Sequence, residues 1–311
     1  MSHAIIIPIY CENRNTINLC NELQNFGAEH IVVVNDGLNP KSEYFNELTS
    51  IGCHLVHLKN NNGKGASLKA GIKYAHDNLY NITGYITCDA DGQHTANDVM
   101  KISRMLDLRN GSLILGKRDY KKSKMPINIR IGNRLSSAYF KVITGKSCRD
   151  AQAGLRGIPA FLYDTVMKTK GSRFEFEMHF FTKCADMRVP FYFVNIIADC
   201  SNCSSNFRLI KDTYLIYRTP LRFATASIGC TIIDLVLFTI FAYILPSHMF
   251  FNIMLATLMA RVVSGGINFL INRKVIFGNT DNGAKQALRF FILFFCIMCA
   301  SSLIVSALWF L

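Results

Sequence analysis

Along residues 1–205, short apolar runs alternate with stretches of helical periodicity. The apolar runs are Ala4–Ile9, Ile31–Val34, His54–Leu58, Tyr85–Cys88 and Ser112–Leu115. Between them, Thr16–Phe26 follows the capping-type residue Asn15. Gly63–His76 carries Leu68, Ile72 and Ala75 on one face, and Asn97–Arg109 carries Val99, Ile102 and Leu106 on one face. Side chains three and four apart share a helical face, whereas a continuously apolar strand is buried on both sides. The alternation therefore predicts an α/β domain with a Rossmann-like, mostly parallel sheet over residues 1–205. Beyond it the pattern changes. Phe223–Leu245, Phe250–Ile271 and Leu288–Leu311 each supply the about 20 apolar residues that cross a bilayer, which predicts an all-α transmembrane domain with three spans over 221–311. The intervening segment 206–220 mixes apolar and basic residues, as an interfacial stretch does.

Sheets of this kind bind ligands beyond the carboxyl ends of their strands. Those ends carry Tyr10 and Glu12, then Asp36, then Asp89 and Asp91, then Lys117 and Arg118. In "CDADGQH" (88–94) two carboxylates stand two residues apart. A solvated turn explains Asp and Gly there. A hard divalent cation explains the pair as well, because Mg²⁺ or Mn²⁺ takes oxygen ligands and keeps water and substrate phosphate in its shell. Asp91 and Gln93 would supply oxygens, with Asp89 as ligand or outer neighbour. "NNNGKGASL" (60–68) lacks the Walker spacing. Lys64 at a glycine-rich helix start can face an anion, and a tight turn for close helix packing explains the same glycines equally well.

The formal net charge of +13 points to anionic partners: phosphorylated small molecules or a membrane surface. Nucleic acid is the weakest candidate, since no DNA- or RNA-binding signature is present. Eleven cysteines form no framework. The pairs Cys200/Cys203 and Cys296/Cys299 lack a second pair or a His cluster to complete a zinc site, so reduced thiols in a cytosolic setting are expected. Met1-Ser-His runs directly into a strand pattern, which argues against a cleaved signal peptide.

Read together, "IIIPIYCENRN", "VVVNDG", "NNGKGASLKAGI", "DADGQH", "RIGNRLSSAYFKVITGKSCRDAQAGLRGIP", "RFEFEMHF" and "SSNFRLIKDT" occur in that order. The ordered set resembles glycosyltransferase family 2, of GT-A fold, in the polyprenyl-phosphate hexosyltransferase branch similar to dolichol-phosphate mannosyltransferase. Residues 221–311 resemble a GtrA-type membrane domain. The resemblance implies that Pro8, Tyr10, Glu12 and Asp36 hold the nucleoside of a nucleotide-sugar. It implies a metal on the diphosphate at Asp89, Asp91 and Gln93, and Arg118 and Arg130 facing the donor and acceptor phosphates. Asp150 and Arg156 would line the sugar and acceptor pocket, and Arg208 would close over the donor. Asn35 departs from the pattern, where many relatives carry a second acid beside Asp36.

The expected function is that of a membrane-bound inverting enzyme that moves a hexose from a nucleotide-sugar to undecaprenyl or dolichyl phosphate, for cell-envelope glycan modification. The alternative is a flippase-type transporter or scaffold whose GT-A domain docks lipid carriers; the intact set Asp36, Asp89, Asp91 and Arg118 favours catalysis. No QxxRW-type segment precedes the first span, which speaks against a processive polysaccharide synthase. Expected partners are the donor, the lipid acceptor and membrane lipid, with homo-oligomerisation allowed. A phosphate monoester has its second pKa near ~6 and is largely dianionic at neutral pH. It needs cations to approach another anion more than it needs a base, so Asp150 is expected to orient rather than to take a proton.

Arg218 and Arg222 precede the first apolar run, and Arg273, Lys274, Lys285 and Arg289 lie between the second and third, while 246–249 carries no Lys or Arg. The positive-inside rule then places the soluble domain in the cytosol, on a membrane such as the bacterial inner membrane. Asp234 and Arg261 interrupt the spans near mid-depth. Either they form a structural ion pair, or the face Arg261, Ser264, Asn268 and Asn272 lines a headgroup path.

Overall fold

A computed structural model describes residues 2–118, 153–197, 209–245 and 250–271, with short pieces among 132–150 and 291–295. The chain divides into two compact units, Met1–Ile216 and Tyr217–Leu311. The first unit runs β1 (His3–Ile9), α1 (Arg14–Asn25), β2 (His30–Asp36), α2 (Glu43–Ser50), β3 (His54–Leu58), α3 (Lys64–Asn78) and β4 (Gly84–Thr87). It continues with α4 (Ala96–Leu108), β5 (Leu113–Arg118), β6 (Arg156–Pro159), α5 (Tyr163–Lys168), α6 (Glu175–Asp186) and β7 (Phe191–Ile196).

The strands form one sheet of order β3-β2-β1-β4-β6-β5-β7. β1 pairs parallel with β2 and β4, β2 with β3, and β5 with β7. Ile5, Ile7 and Ile9 pack with Ile17 and Leu23 on one face, and Ala4 and Ile6 with Leu68 and Ile72 on the other. Burial on both faces is why these strands are apolar without alternation. The expected helical faces hold: Leu68, Ile72 and Ala75 are buried, as are Val99, Ile102 and Leu106.

Several local expectations shift. The first helix starts at Arg14 and is capped by Asn13, whose side chain accepts from the Asn15 amide at 2.9 Å. Asn15 is thus inside the helix. β2 extends through Asp36 and β5 through Arg118, so these polar residues end the strands themselves. Helix α2 was not anticipated; Ser42 caps it and Tyr44, Phe45 and Leu48 are buried. Nor was β6, which is antiparallel to both β4 and β5. Its sequence, Arg-Gly-Ile-Pro, is four residues with Gly and Pro, and it carries none of the β-branched alternation that marks a strand.

Most of α7 (Leu209–Ile244) and all of α8 (Phe250–Ile271) belong to the second unit. Ala224–Ile244 of α7 has a mean hydropathy of 2.0 and is long enough to cross a membrane. On α8, Ala256, Ala260 and Ser264 are buried at a spacing of four, the small-residue stripe that lets helices approach closely. The Ser264 hydroxyl donates to Asp234 Oδ1 at 2.8 Å. Of the two readings of Asp234 and Arg261, the ion pair is not found among the described residues, where the carboxylate is met by the serine. The third apolar run, both CxxC pairs and the basic loop after α8 lie outside the described residues, apart from the helical positions 291–292 and 294–295. Every described cysteine carries a free thiol.

Candidate functional site

The reversal of β6 builds the site. Because β6 is antiparallel, its first residue, Arg156, lies at the edge where the parallel strands end, paired with Thr87 of β4 and Leu115 of β5. The residues just before it are drawn to that edge as well: Thr87 Oγ1 donates to the Gly154 carbonyl at 2.9 Å, and the Gly116 amide donates to that of Leu155 at 2.9 Å. Gly154 lies directly against Asp89. A Cβ added there would stand 1.9 Å from Asp89 Oδ2, so the position admits no side chain while the carboxylate keeps its place.

Asp89 and Asp91 converge on one donor. The Gln93 side-chain amide donates to Asp89 Oδ2 at 3.1 Å and to Asp91 Oδ2 at 2.9 Å. On its other side Asp89 meets Lys64, with Nζ 2.6 Å from Oδ1. The same ammonium lies 3.2 Å from Glu177 Oε1, which in turn is 2.9 Å from Arg156 Nη1. Charge therefore alternates in sign along Asp89, Lys64, Glu177 and Arg156, all at least four-fifths buried. Arg156 also lies over the Phe181 ring at 4.6 Å. The buried His94 has Nε2 3.9 Å from Asp89 Oδ2, and neither ring nitrogen has a hydrogen-bond partner among the described residues.

These contacts split the two carboxylates. Burial alone would raise the Asp89 pKa, but Lys64 and His94 outweigh it and hold the carboxyl well below the usual range. Burial, and then the charge of Asp89, push Asp91 up. Burial would lower Lys64, yet Asp89 and Glu177 overcome that and raise it. Lys64 thus faces an anion as its helix-start position suggests, and the anions it meets are the protein's own carboxylates. The glycine-rich loop before it is held from within. Asp36 accepts the Asn62 and Gly63 amides at 2.8 and 2.9 Å, and the Ala66 amide donates to the Ser172 carbonyl at 2.8 Å. Gly63 adopts φ +94°, a left-handed conformation that glycine takes without strain.

Asn35 has a local role. Its amide donates to the Leu38 carbonyl at 2.9 Å and its oxygen accepts from the Leu38 amide at 2.7 Å. A carboxylate could not donate the first of these. Arg118 and Asp150 form a buried bidentate pair, with Nε and Nη2 at 2.8 and 2.7 Å from the two carboxylate oxygens. The Arg118 backbone amide adds a third bond to Asp150 at 3.1 Å. Pro8 stands near the end of β1, with Tyr10 and the exposed Glu12 in the turn that follows. Arg130 and Arg208 lie outside the described residues.

The structure thus gathers Lys64, Asp89, Asp91, Gln93 and Arg156 into one contact network and joins Arg118 to Asp150. Sequence reasoning missed Glu177, Gly154 and His94. Glu177 had a signal: it falls at helical spacing with the buried Phe180, Phe181 and Cys184, and a carboxylate on an apolar stripe needs a partner. Gly154 had none, since its partner is 65 positions away in the chain.

Among the described residues no three His, Cys, Asp or Glu side chains form a ready-made metal cage. A divalent ion on a nucleotide needs only one or two carboxylates, with water and phosphate completing its shell. Two carboxylates already converging on one cation-like donor, the Gln93 NH₂, fit such an ion.

Comparison with known proteins gives two family matches. Residues 4–164 match the glycosyl transferase family 2 model, and residues 222–311 match the GtrA/DPMS transmembrane domain. The uncharacterized protein MJ1222 of Methanocaldococcus jannaschii is 33% identical over 187 residues, covering 57% of this chain and 72% of that protein. A UDP-N-acetylglucosamine–dolichyl-phosphate N-acetylglucosaminyltransferase of Methanococcus voltae is 29% identical over 172 residues, covering 49% of this chain and 67% of that protein. Among solved structures, glucosyl-3-phosphoglycerate synthase from Mycobacterium tuberculosis, in complex with Mn²⁺, UDP-glucose and phosphoglyceric acid, superposes with a TM-score of 0.52 at 12% identity. That match covers 71% of this chain and 77% of the synthase, and at such identity it establishes the shared fold.

Proposed function

The chain belongs to glycosyltransferase family 2 and carries a transmembrane domain of GtrA/DPMS type; from that premise we propose that it transfers a hexose from a nucleotide-sugar to a polyprenyl phosphate at the cytosolic face of a membrane. The observation that carries this reading is the convergence of Asp89 and Asp91 on one point, backed by Lys64 and Arg156, at the carboxyl edge of the sheet. The relative named for UDP-N-acetylglucosamine and dolichyl phosphate supports a UDP-sugar donor and a lipid-phosphate acceptor.

In this reading Asp89, Asp91 and Gln93 would hold a Mg²⁺ or Mn²⁺ ion, which would neutralise the charge that develops on the leaving diphosphate. Pro8, Tyr10 and Glu12 flank the nucleoside, and Asp36 shapes the 60–63 loop beside it through the two amides it accepts. The acceptor phosphate oxygen attacks the anomeric carbon in line as the bond to the diphosphate breaks, inverting the configuration. Arg118 stabilises the leaving group, and Asp150, with both oxygens on that guanidinium, orients it. Arg130 binds the acceptor phosphate, Arg156 borders the sugar, and Arg208 closes over the donor. Residues 1–220 and the loop near Asp281 lie in the cytosol.

The test is a product assay with a panel of nucleotide-sugars and undecaprenyl or dolichyl phosphate, read by mass spectrometry. A lipid-phosphate hexose formed from one donor supports the proposal. Donor hydrolysis alone, with no lipid product from any combination, refutes it. Within that assay, Arg130→Ala should lower kcat/KM for the lipid by one to two decades, a contact of roughly 1.5–3 kcal/mol, and leave donor binding intact. Labelling of a cysteine placed at position 281 from outside intact cells would overturn the orientation.

A further inference from the structure

Glu177 belongs to none of the roles above, yet it is the only carboxylate among the described residues that touches both Lys64 and Arg156. It sits in the first turn of α6, between Phe176 and Met178, and only 7% of it is exposed. A buried carboxylate is costly unless its charge is compensated, and here two cations compensate it. The neighbouring acid behaves differently: Glu175 Oε1 accepts the Ser172 and Arg173 amides at 3.0 and 3.2 Å and so ties down the start of α6. Of the two acids in this turn, one holds backbone and the other holds charge.

The consequence lies in the charge balance around Asp89. Lys64 is 2.6 Å from Asp89 and 3.2 Å from Glu177, so its ammonium is shared between them. Remove the Glu177 charge and the ammonium has Asp89 alone, while Arg156 keeps a positive charge with no counterion among the described residues. Both changes raise the positive potential at the point where Asp89 and Asp91 converge. Potentials of this kind are strong where water is excluded.

We infer that Glu177 is a positioning residue that shares Lys64 away from Asp89 and so leaves Asp89 able to accept a divalent cation; this rests on the metal reading of Asp89 and Asp91. Glu177 acts through Lys64 and Arg156 and touches neither substrate nor ion. The inference has a signature that loss of structure lacks. Neutralising Glu177 should weaken cation binding and leave anion binding as strong or stronger, since the same positive potential repels one and attracts the other.

The experiment uses the full chain in detergent or nanodiscs. Binding of Mn²⁺ alone is followed by the paramagnetic resonance of the free ion, and binding of UDP without metal is followed by calorimetry. Wild type, Asp91→Asn, Glu177→Gln and Glu177→Asp are compared. The expected result is Mn²⁺ binding by wild type, its loss in Asp91→Asn, and a roughly tenfold weaker Mn²⁺ affinity in Glu177→Gln, with metal-free UDP affinity undiminished. Glu177→Asp, with the charge kept on a shorter arm, should fall between wild type and Glu177→Gln, and it decides the matter alone if Glu177→Gln does not fold. Unchanged Mn²⁺ affinity in the folded Glu177 variants, or equal weakening of Mn²⁺ and UDP, would overturn the inference and leave the metal reading standing. Wild type that binds no Mn²⁺, or Asp91→Asn that binds it normally, would overturn the metal reading and the inference with it.

Discussion

At the carboxyl edge of the sheet, Asp89, Lys64, Glu177 and Arg156 form a run of alternating charge with contacts of 2.6 to 3.2 Å. In the apolar helices of the second unit, Asp234 meets a serine hydroxyl at 2.8 Å. Both regions withdraw charge from water, and they stabilise it differently. In this cluster of the first unit each of the four ions meets one of opposite sign, so it tolerates burial while keeping its charges. Such clusters rarely add stability over apolar packing, which is why one at the carboxyl edge, where sheets of this kind generally bind ligands, points to chemistry. In the second unit the neutral Ser264 hydroxyl meets the carboxylate among the described residues, a contact typical of polar groups that join helices within a membrane.

The largest effect is expected at Asp91. Asp91→Ala should reduce transfer by at least about two to three decades while the thermal unfolding midpoint stays near that of wild type, and chelation with EDTA should silence wild type reversibly. Full activity of the variant in excess chelator would separate the cluster from the chemistry. Gly154→Ala comes next. Its Cβ would fall 1.9 Å from Asp89 Oδ2, so the carboxylate must move, and displacement on that scale costs about a hundredfold in rate. The assay is kcat on the protein already shown to be folded by circular dichroism. Arg118→Lys should lower kcat at saturating acceptor by roughly tenfold, because an ammonium cannot reproduce the bidentate contact with Asp150. The smallest effect is expected in the helices: Ser264→Ala should cost about 0.6 kcal/mol, measured by unfolding in detergent. A larger loss there than at Gly154 would invert the contrast between the two regions.

The legible parts of this molecule were those carried by local pattern. The β1 and β2 cores, the faces of α3 and α4, and the apolar character of α7 and α8 follow from periodicity and run length, because burial on one or two faces leaves that imprint on neighbouring residues. Helix α2 was less visible: eight residues with only Tyr44, Phe45 and Leu48 buried give barely two turns of pattern. β6 left no imprint at all. Its two neighbouring strands supply the pairing that Arg-Gly-Ile-Pro does not advertise.

The sequence by itself determined which residues carry charge at the strand ends, that two carboxylates stand two apart after the fourth apolar run, and that the last ninety-one residues, 221–311, are mostly apolar. Only the tertiary structure decided which charges meet. Lys64 could face any anion, and folding gave it Asp89 and Glu177. Asp36 was free to face a ligand, and folding gave it the amides of Asn62 and Gly63. Asp234 could have taken Arg261, and folding gave it Ser264. The physical reason is that a charge acts over a few ångströms in whatever direction it finds a partner, so its partner is fixed by how strands are ordered and reversed. Hydrophobic burial, by contrast, is non-directional and additive along the chain, and is written into the spacing of the residues themselves.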